Sequence, residues 1–282
     1  MSDVKISAAD VKRLREATGA GMMDCKKALV EANGDFESAA DIVRAKTGRK
    51  MAERAGEREA GDGVVHAVVS DSGDQGAIVK VACETDFVAK GDAFVNLAQV
   101  VAETVLAHDV ADVAALMTTA TPMGKTVADL VEEVQSTTKE KVEITDFRRF
   151  AVDGGTVRFY LHTPTPGIPA KIGVLVAVNT AGESAAQLAS DIALHAAAAR
   201  PVAVREDEVD PALVEKERTF ARQQAEEEGK PANIIEKIVE GRVQALFKEQ
   251  VLLNQPFVKD PSTTIAKLLG DVELVDFARF EI

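Results

Sequence analysis

The chain repeats itself. Val142-Glu143-Ile144-Thr145-Asp146-Phe147-Arg148-Arg149-Phe150 returns as Val272-Glu273-Leu274-Val275-Asp276-Phe277-Ala278-Arg279-Phe280, with six of nine positions identical at an offset of 130. Upstream, Gly63 to Val69 matches Gly155 to Leu161 at an offset of 92. Ala77 to Ala82 pairs with Ile172 to Ala177, and the helical Leu97-Ala98 with Leu188-Ala189. Each half reads strand, strand, helix, helix, strand. Such repetition predicts an α+β protein in which two similar units pack against each other.

The offset grows from 92 to 130, so the second half carries about 38 additional residues between the helix near His195 and the restart near Pro256. Two charged helical stretches fill the gap, Asp210 to Glu228 and Ala232 to Gln250, joined by Gly229-Lys230-Pro231. Leu213, Phe220 and Ala221 in the first, and Ile235, Ile238, Val239 and Leu246 in the second, form one narrow apolar stripe per helix. That pattern predicts an antiparallel helical hairpin projecting into water. A solvated insertion and an interaction arm both fit it.

Ahead of the repeat, the first fifty residues read as three short helices. Ser7 with Asp10 resembles a capping box, followed by Val11, Leu14 and Ala17 at helical spacing. Gly19 and Gly21 break this helix, Lys26 to Ala32 forms a second ended by Asn33-Gly34, and Asp35 caps a third bearing Phe36, Ala39, Ala40 and Val43. Arg49 to Gly61 is charged and has no apolar period, as in a linker or a solvated helix. The expected division is 1–50, a three-helix module; 51–61, a linker; 62–153, the first half of the core; 154–203 with 252–282, the second half; and 204–251, the inserted hairpin.

Composition removes several functions. With 33 basic and 46 acidic residues the formal charge is −13, which disfavours direct nucleic-acid binding. The longest charge-free stretches, 113–124 and 159–170, fall short of a membrane span. Met1 to Asp10 has no basic-then-apolar leader, and two cysteines in so long a chain, Cys25 and Cys83, read as reduced thiols. The expectation is a cytoplasmic protein.

The usual enzymatic signatures are missing. His66, His108, His162 and His195 are far apart, no metal-ligand spacing occurs, and no Gly-x-Ser-x-Gly elbow is present. Met123-Gly124-Lys125-Thr126 imitates the end of a phosphate loop, but Thr119 stands where the pattern needs its first glycine. It reads as a helix start, and Asp153-Gly154-Gly155 as a turn between strands. No catalytic residue, metal site or cofactor is assigned.

Two stretches look unlike ordinary scaffold. In Thr18-Gly19-Ala20-Gly21-Met22-Met23-Asp24-Cys25-Lys26-Lys27-Ala28-Leu29, two glycines precede adjacent methionines at a helix start. Those side chains either fill the small bundle or leave at least one exposed as an adaptable docking surface. Cys83-Glu84-Thr85-Asp86-Phe87-Val88-Ala89-Lys90 connects a strand to a helix. The matching region of the second half, Val178-Asn179-Thr180-Ala181-Gly182, lacks Thr-Asp-Phe, so the fold does not require it and a functional loop is favoured.

Both stretches, with Leu14-Arg15 ahead of the first, resemble the two signatures of the elongation factor Ts family. Ile172-Gly173-Val174-Leu175-Val176, Val239-Glu240-Gly241-Arg242 and Gln255-Pro256-Phe257-Val258 fit as well, and the resemblance runs from Val4 to Phe280. It implies an N-terminal three-helix module similar to a ubiquitin-associated domain, a duplicated α+β core and a helical hairpin inserted in the second half. It also implies guanine-nucleotide exchange on the GTPase elongation factor Tu, with no bond made or broken. By matching position, Thr85, Asp86, Phe87 and Val88 form the exchange loop. Phe87 is the wedge that enters an apolar pocket of the GTPase domain, Asp86 contacts a helix beside it, and together they disturb the magnesium site and the phosphate loop. Arg15, Met22, Met23 and Lys26 dock the N-terminal module, while His162 and Val258 contact the partner's other domains.

The chain departs from the family at Lys80 and Ala82, where Glu and Asn are common, and at Thr138-Lys139-Glu140-Lys141, where the family has Ile-Gly-Glu-Asn. Some members carry a further C-terminal helical module; contacts made by such a module are not expected here. The resemblance leaves a homodimer or a 2:2 complex open. Two readings from other classes are an adaptor for ubiquitin-like or other helical partners, without exchange activity, and a small-molecule enzyme using a cleft between the halves.

Overall fold

A computed structural model describes residues 6–55, 59–163, 165 and 167–282. The fold is mixed helix and sheet. Three helices come first: α1 (Ala8–Thr18), α2 (Met22–Glu31) and α3 (Phe36–Ala55). The Ser7–Asp10 capping box is formed, and Gly19 ends α1 at φ 65°. α2 starts at Met22, the helix start read at the adjacent methionines and four residues ahead of the Lys26 onset read from spacing, with Gly21 as its extended N-cap. Val11, Leu14, Ala20, Cys25, Ala28, Leu29, Ala39, Ala40 and Val43 make the small core. Ala17 is exposed, and Ala20 in the turn takes the place expected of it. α3 runs into the segment expected as a linker; residues 56–58 of that segment lie outside the described residues.

The rest is built on two three-stranded antiparallel sheets. The first has the order β1 (Asp62–Val69), β2 (Gln75–Cys83), β3 (Val142–Ala151). The second has the order β4 (Thr156–His162), β5 (Ile172–Val178), β8 (Leu274–Glu281). Between β2 and β3 run α4 (Asp86–Ala89), α5 (Asp92–Ala107), α6 (Val113–Thr118) and α7 (Val127–Thr138). Between β5 and β8 run α8 (Glu183–Ala199), α9 (Pro211–Glu227), α10 (Ala232–Gln250), the short β6 (Pro256–Phe257) and β7 (Asp260–Thr264), and α11 (Ile265–Leu269). Gly124 turns the chain before the Thr126–Asp129 capping box of α7, so the phosphate-loop imitation is a helix start.

Strand registers agree between the sheets residue by residue. Lys80 lies opposite Val65 and Asp146; Ala177 lies opposite Val157 and Asp276. Thr145 and Val275 are each skipped at a bulge, and beside them the Asp146 and Asp276 side chains accept from the Phe147 and Phe277 amides at 2.8 and 2.7 Å. These pairings align Lys80 with Ala177, two residues away from the alignment read in the sequence. Arg149 donates to the Leu106 carbonyl at the end of α5, and Arg279 to the Ala197 carbonyl at the end of α8. Each cation sits where a helix presents unpaired carbonyls.

Both faces of the central strands are buried. Ala77, Val79, Val81 and Cys83 of β2 face α5, α6 and α7, whereas Ile78 faces the other sheet. In β5, Val174, Val176 and Val178 face α8 and α11, and Leu175 and Ala177 face inward. The inner layer is closed by Val65, Ala67, Val157 and Ala278. The order is therefore helices, sheet, sheet, helices. Gly76 and Gly173 set the close approach. A Cβ on Gly76 would lie 2.6 Å from Val157 Cγ1, and one on Gly173 would lie 2.5 Å from Val65 Cγ1. Reciprocal backbone bonds join the layers: Val65 N–H to the Ala170 carbonyl at 2.8 Å, and Val157 N–H to the Gly73 carbonyl at 2.7 Å.

α9 and α10 form an antiparallel hairpin with a seam of Ala221, Ala225, Ile235 and Val239. Val214 and Phe247 pack at its base. Leu213 and Phe220, expected in the seam, are exposed. Small alanines let the helices approach closely, and the larger side chains one position earlier turn outward. Among the described residues no helix is long and apolar enough to cross a membrane.

Gly173→Ala is expected to lower unfolding free energy by about 1–3 kcal/mol through overpacking of the sheet interface. Gly241→Ala, in α10 with open space around it, is expected to raise it by roughly 0.5–1 kcal/mol. Urea denaturation of both variants checks the pair.

Candidate partner interface

β2 ends at Cys83, and the chain then turns through Glu84 and Thr85 into the single helical turn α4. Thr85 is its N-cap, accepting from the Val88 amide at 3.4 Å. Two side chains leave this turn in opposite directions. Phe87 stands out with 84% of its surface exposed, while Val88 points inward at 7% and packs in the core under β2 and α5. Within the expected exchange loop, Val88 thus anchors the turn through its side chain. Asp86 is exposed and pairs with Lys90 at 2.6 Å. The hydrogen bond and charge of Lys90 hold the Asp86 carboxyl below its ordinary pKa.

Cys83 is buried and inert. Burial, with the Glu140 charge as a lesser cause, pushes its thiol up to about 12, so no thiolate forms near neutral pH. Lys80 donates to the Glu281 carbonyl of β8 at 2.5 Å. It ties the two sheets together at their rim.

The N-terminal module brings a second exposed patch. Met22 and Met23 are 56% and 64% exposed, and neither fills the bundle core. Arg15 and Lys26 are exposed as well. The module abuts the first half where Gly19 backs onto Ser136 near the end of α7; a Cβ there would meet the Ser136 carbonyl at 3.5 Å. Four residues beyond Ser136, Glu140 binds Thr85. The same connection thus touches both patches.

His162 and Val258 belong to the second half, and the hydrogen bonds that hold them run inside it. His162 is exposed at the end of β4, with Nδ1 3.2 Å from the Tyr160 hydroxyl. Val258, between β6 and β7, is exposed, and its amide donates to Nδ1 of the buried His195 at 3.2 Å. A backbone N–H can only donate, so Nδ1 is unprotonated and Nε2 donates to Gln255 Oε1 at 2.9 Å. Gln255 in turn donates to the carbonyls of Glu249 and Ala199.

Sequence reasoning did not find Glu140 as a support or His195 as the hub behind Val258. Each partner lies 55 or more residues away in the chain, and no spacing rule reaches that far.

The family profile described as Elongation factor TS matches residues 84–282. The chain is 47% identical over 280 residues to elongation factor Ts of a Nocardioides species, covering 98% of each chain. It is 45% identical over 276 residues to that of Acidothermus cellulolyticus, covering 97% of each. The chain belongs to the elongation factor Ts family. With that of Hydrogenovibrio crunogenus the identity is 44% over 281 residues, covering 98% of this chain and 91% of the relative. Membership makes it an elongation factor of protein biosynthesis.

Burial is the main cause lowering the His195 pKa, against the Gln255 hydrogen bond, which raises it. The unfolded chain therefore takes up more protons as pH falls through about 6.5, and stability drops below that value until the folded pKa is passed. His66, lowered by burial, adds the same sign. The urea midpoint is expected to fall between about pH 7.5 and about pH 5.5, and His195→Gln to flatten that slope.

Proposed function

We propose that the protein is a guanine-nucleotide exchange factor for elongation factor Tu that uses Phe87 as a wedge. Family membership implies nucleotide exchange on that GTPase; the wedge is the finer step. Its main support is the 84% exposure of a benzyl side chain on a turn anchored from below by Val88. A largely solvated Phe is a poor choice for a solitary chain and a good one for a side chain that is buried on binding.

The proposed sequence of events is physical. Phe87 enters an apolar pocket of the GTPase domain, Asp86 meets the helix beside it, and the magnesium and phosphate sites are disturbed. By linkage, whatever the factor takes from nucleotide affinity the nucleotide takes from factor affinity. Burying one Phe is worth about 1.5–3 kcal/mol, or roughly one to two decades of affinity. The remaining coupling comes from the wider surface: Arg15, Met22, Met23 and Lys26 on the N-terminal module, and His162 and Val258 on the second half.

The same reading treats 1–50 as a ubiquitin-associated-like module, 62–153 and the pair 154–203 and 252–282 as duplicated halves, and 204–251 as an inserted arm. The shared strand order and bulges support the duplication. The protein would act in the cytoplasm on a protein partner, without a cofactor.

Phe87→Ala is expected to slow release of fluorescent GDP from elongation factor Tu by roughly ten- to a hundredfold at sub-saturating factor. Thermal unfolding should be unchanged, because the ring packs against little of its own chain. Unaltered GDP release by the folded variant would sink the wedge.

A further inference from the structure

We propose that Glu140 is a positioning residue that holds the Phe87 turn in its projecting form; this rests on the exchange reading above. α4 is one helical turn of four residues, too short to persist on helix propensity. Its cap, Thr85, has a hydroxyl with two tasks. The oxygen accepts the Val88 amide, and the hydroxyl proton goes to Glu140 Oε1 at 2.7 Å. The Thr85 amide donates to the other carboxylate oxygen, Oε2, at 3.0 Å. One carboxylate thus takes both donors of the capping residue, and such charge-assisted bonds are stronger than neutral ones. A second strut runs the opposite way, from the Lys141 amide to Glu84 Oε1 at 2.7 Å. The turn is fixed from outside by Glu140 and from inside by Val88, which leaves Phe87 projecting between them.

The second half supplies an independent comparison. Eight residues, 84–91, separate β2 from α5, whereas four, 179–182, separate β5 from α8. The one-turn helix and its ring have no counterpart there. At the offset of 130 that relates β3 to β8, Glu140 corresponds to Gly270. Ring and clamp are present together in one half and absent together in the other, although both halves build the same sheet. The clamp therefore serves the ring and not the sheet.

The test is a titration of GDP release from elongation factor Tu with wild type, Glu140→Ala, Phe87→Ala and the Glu140→Ala/Phe87→Ala double variant. Glu140→Ala should raise the half-maximal factor concentration by roughly five- to tenfold and keep the saturating rate, because a smaller share of free factor is competent to bind. In the Phe87→Ala background, Glu140→Ala should add less than about twofold, since it acts through the ring. Amide exchange should quicken at Thr85 and Val88 and stay unchanged elsewhere. A wild-type titration by Glu140→Ala beside a defective Phe87→Ala overturns the positioning role and leaves the exchange reading standing. Full additivity of the two substitutions also overturns it, by making Glu140 a contact in its own right. Normal exchange by Phe87→Ala overturns both. If Glu140→Ala does not fold, Glu140→Gln, which loses one of the two acceptors, is scored by the same outcomes.

Discussion

Two sheets lie back to back at glycine distance, and most of the molecule follows from that contact. Gly76 and Gly173 occupy matching places in β2 and β5, each against the valine of the opposite edge strand. Their missing side chains let Ile78 and Leu175 interdigitate in one inner layer. Because the inner faces are consumed by each other, the outer faces must be covered by helices, α5 to α7 on one side and α8 and α11 on the other. Strands buried on both faces then have to be nearly all apolar, as β2 and β5 are.

Against so regular a frame, the two halves differ in their connections. The first half lengthens its strand-to-helix connection and fills it with a capped turn bearing Phe87. The second half lengthens its helix-to-strand connection with α9 and α10 and supports Val258 through the buried His195. On the proposed function, binding residues are added in the connections, where chain length can change without disturbing the paired sheets.

The mixed helix-and-sheet class, the three N-terminal helices and the paired helices α9 and α10 were legible because each rests on local signals: strand alternation, caps and helical spacing. Ser7 with Asp10 and Asp35 needed only a few neighbours to be read. Phe87 was legible as a residue the second half does without. Where reasoning slipped, tertiary packing decided. Ala225 joined the expected Ala221 in the hairpin seam, and Leu213 and Phe220 were left outside it, because close helix approach favours small side chains. The two-residue shift between β2 and β5 escaped notice because both alignments keep the same alternation of faces. Glu140 was illegible as a support, since nothing local ties it to Thr85.

In the proposed exchange function, the Phe87 ring passes from water into a protein pocket when the partner binds. A 4-fluorophenylalanine placed at position 87 reports this directly by fluorine NMR. Addition of nucleotide-free elongation factor Tu should move the resonance from its solvent-exposed position and broaden it, and excess GDP should restore it. A signal that stays at its free position in a complex proven to have formed would contradict the account.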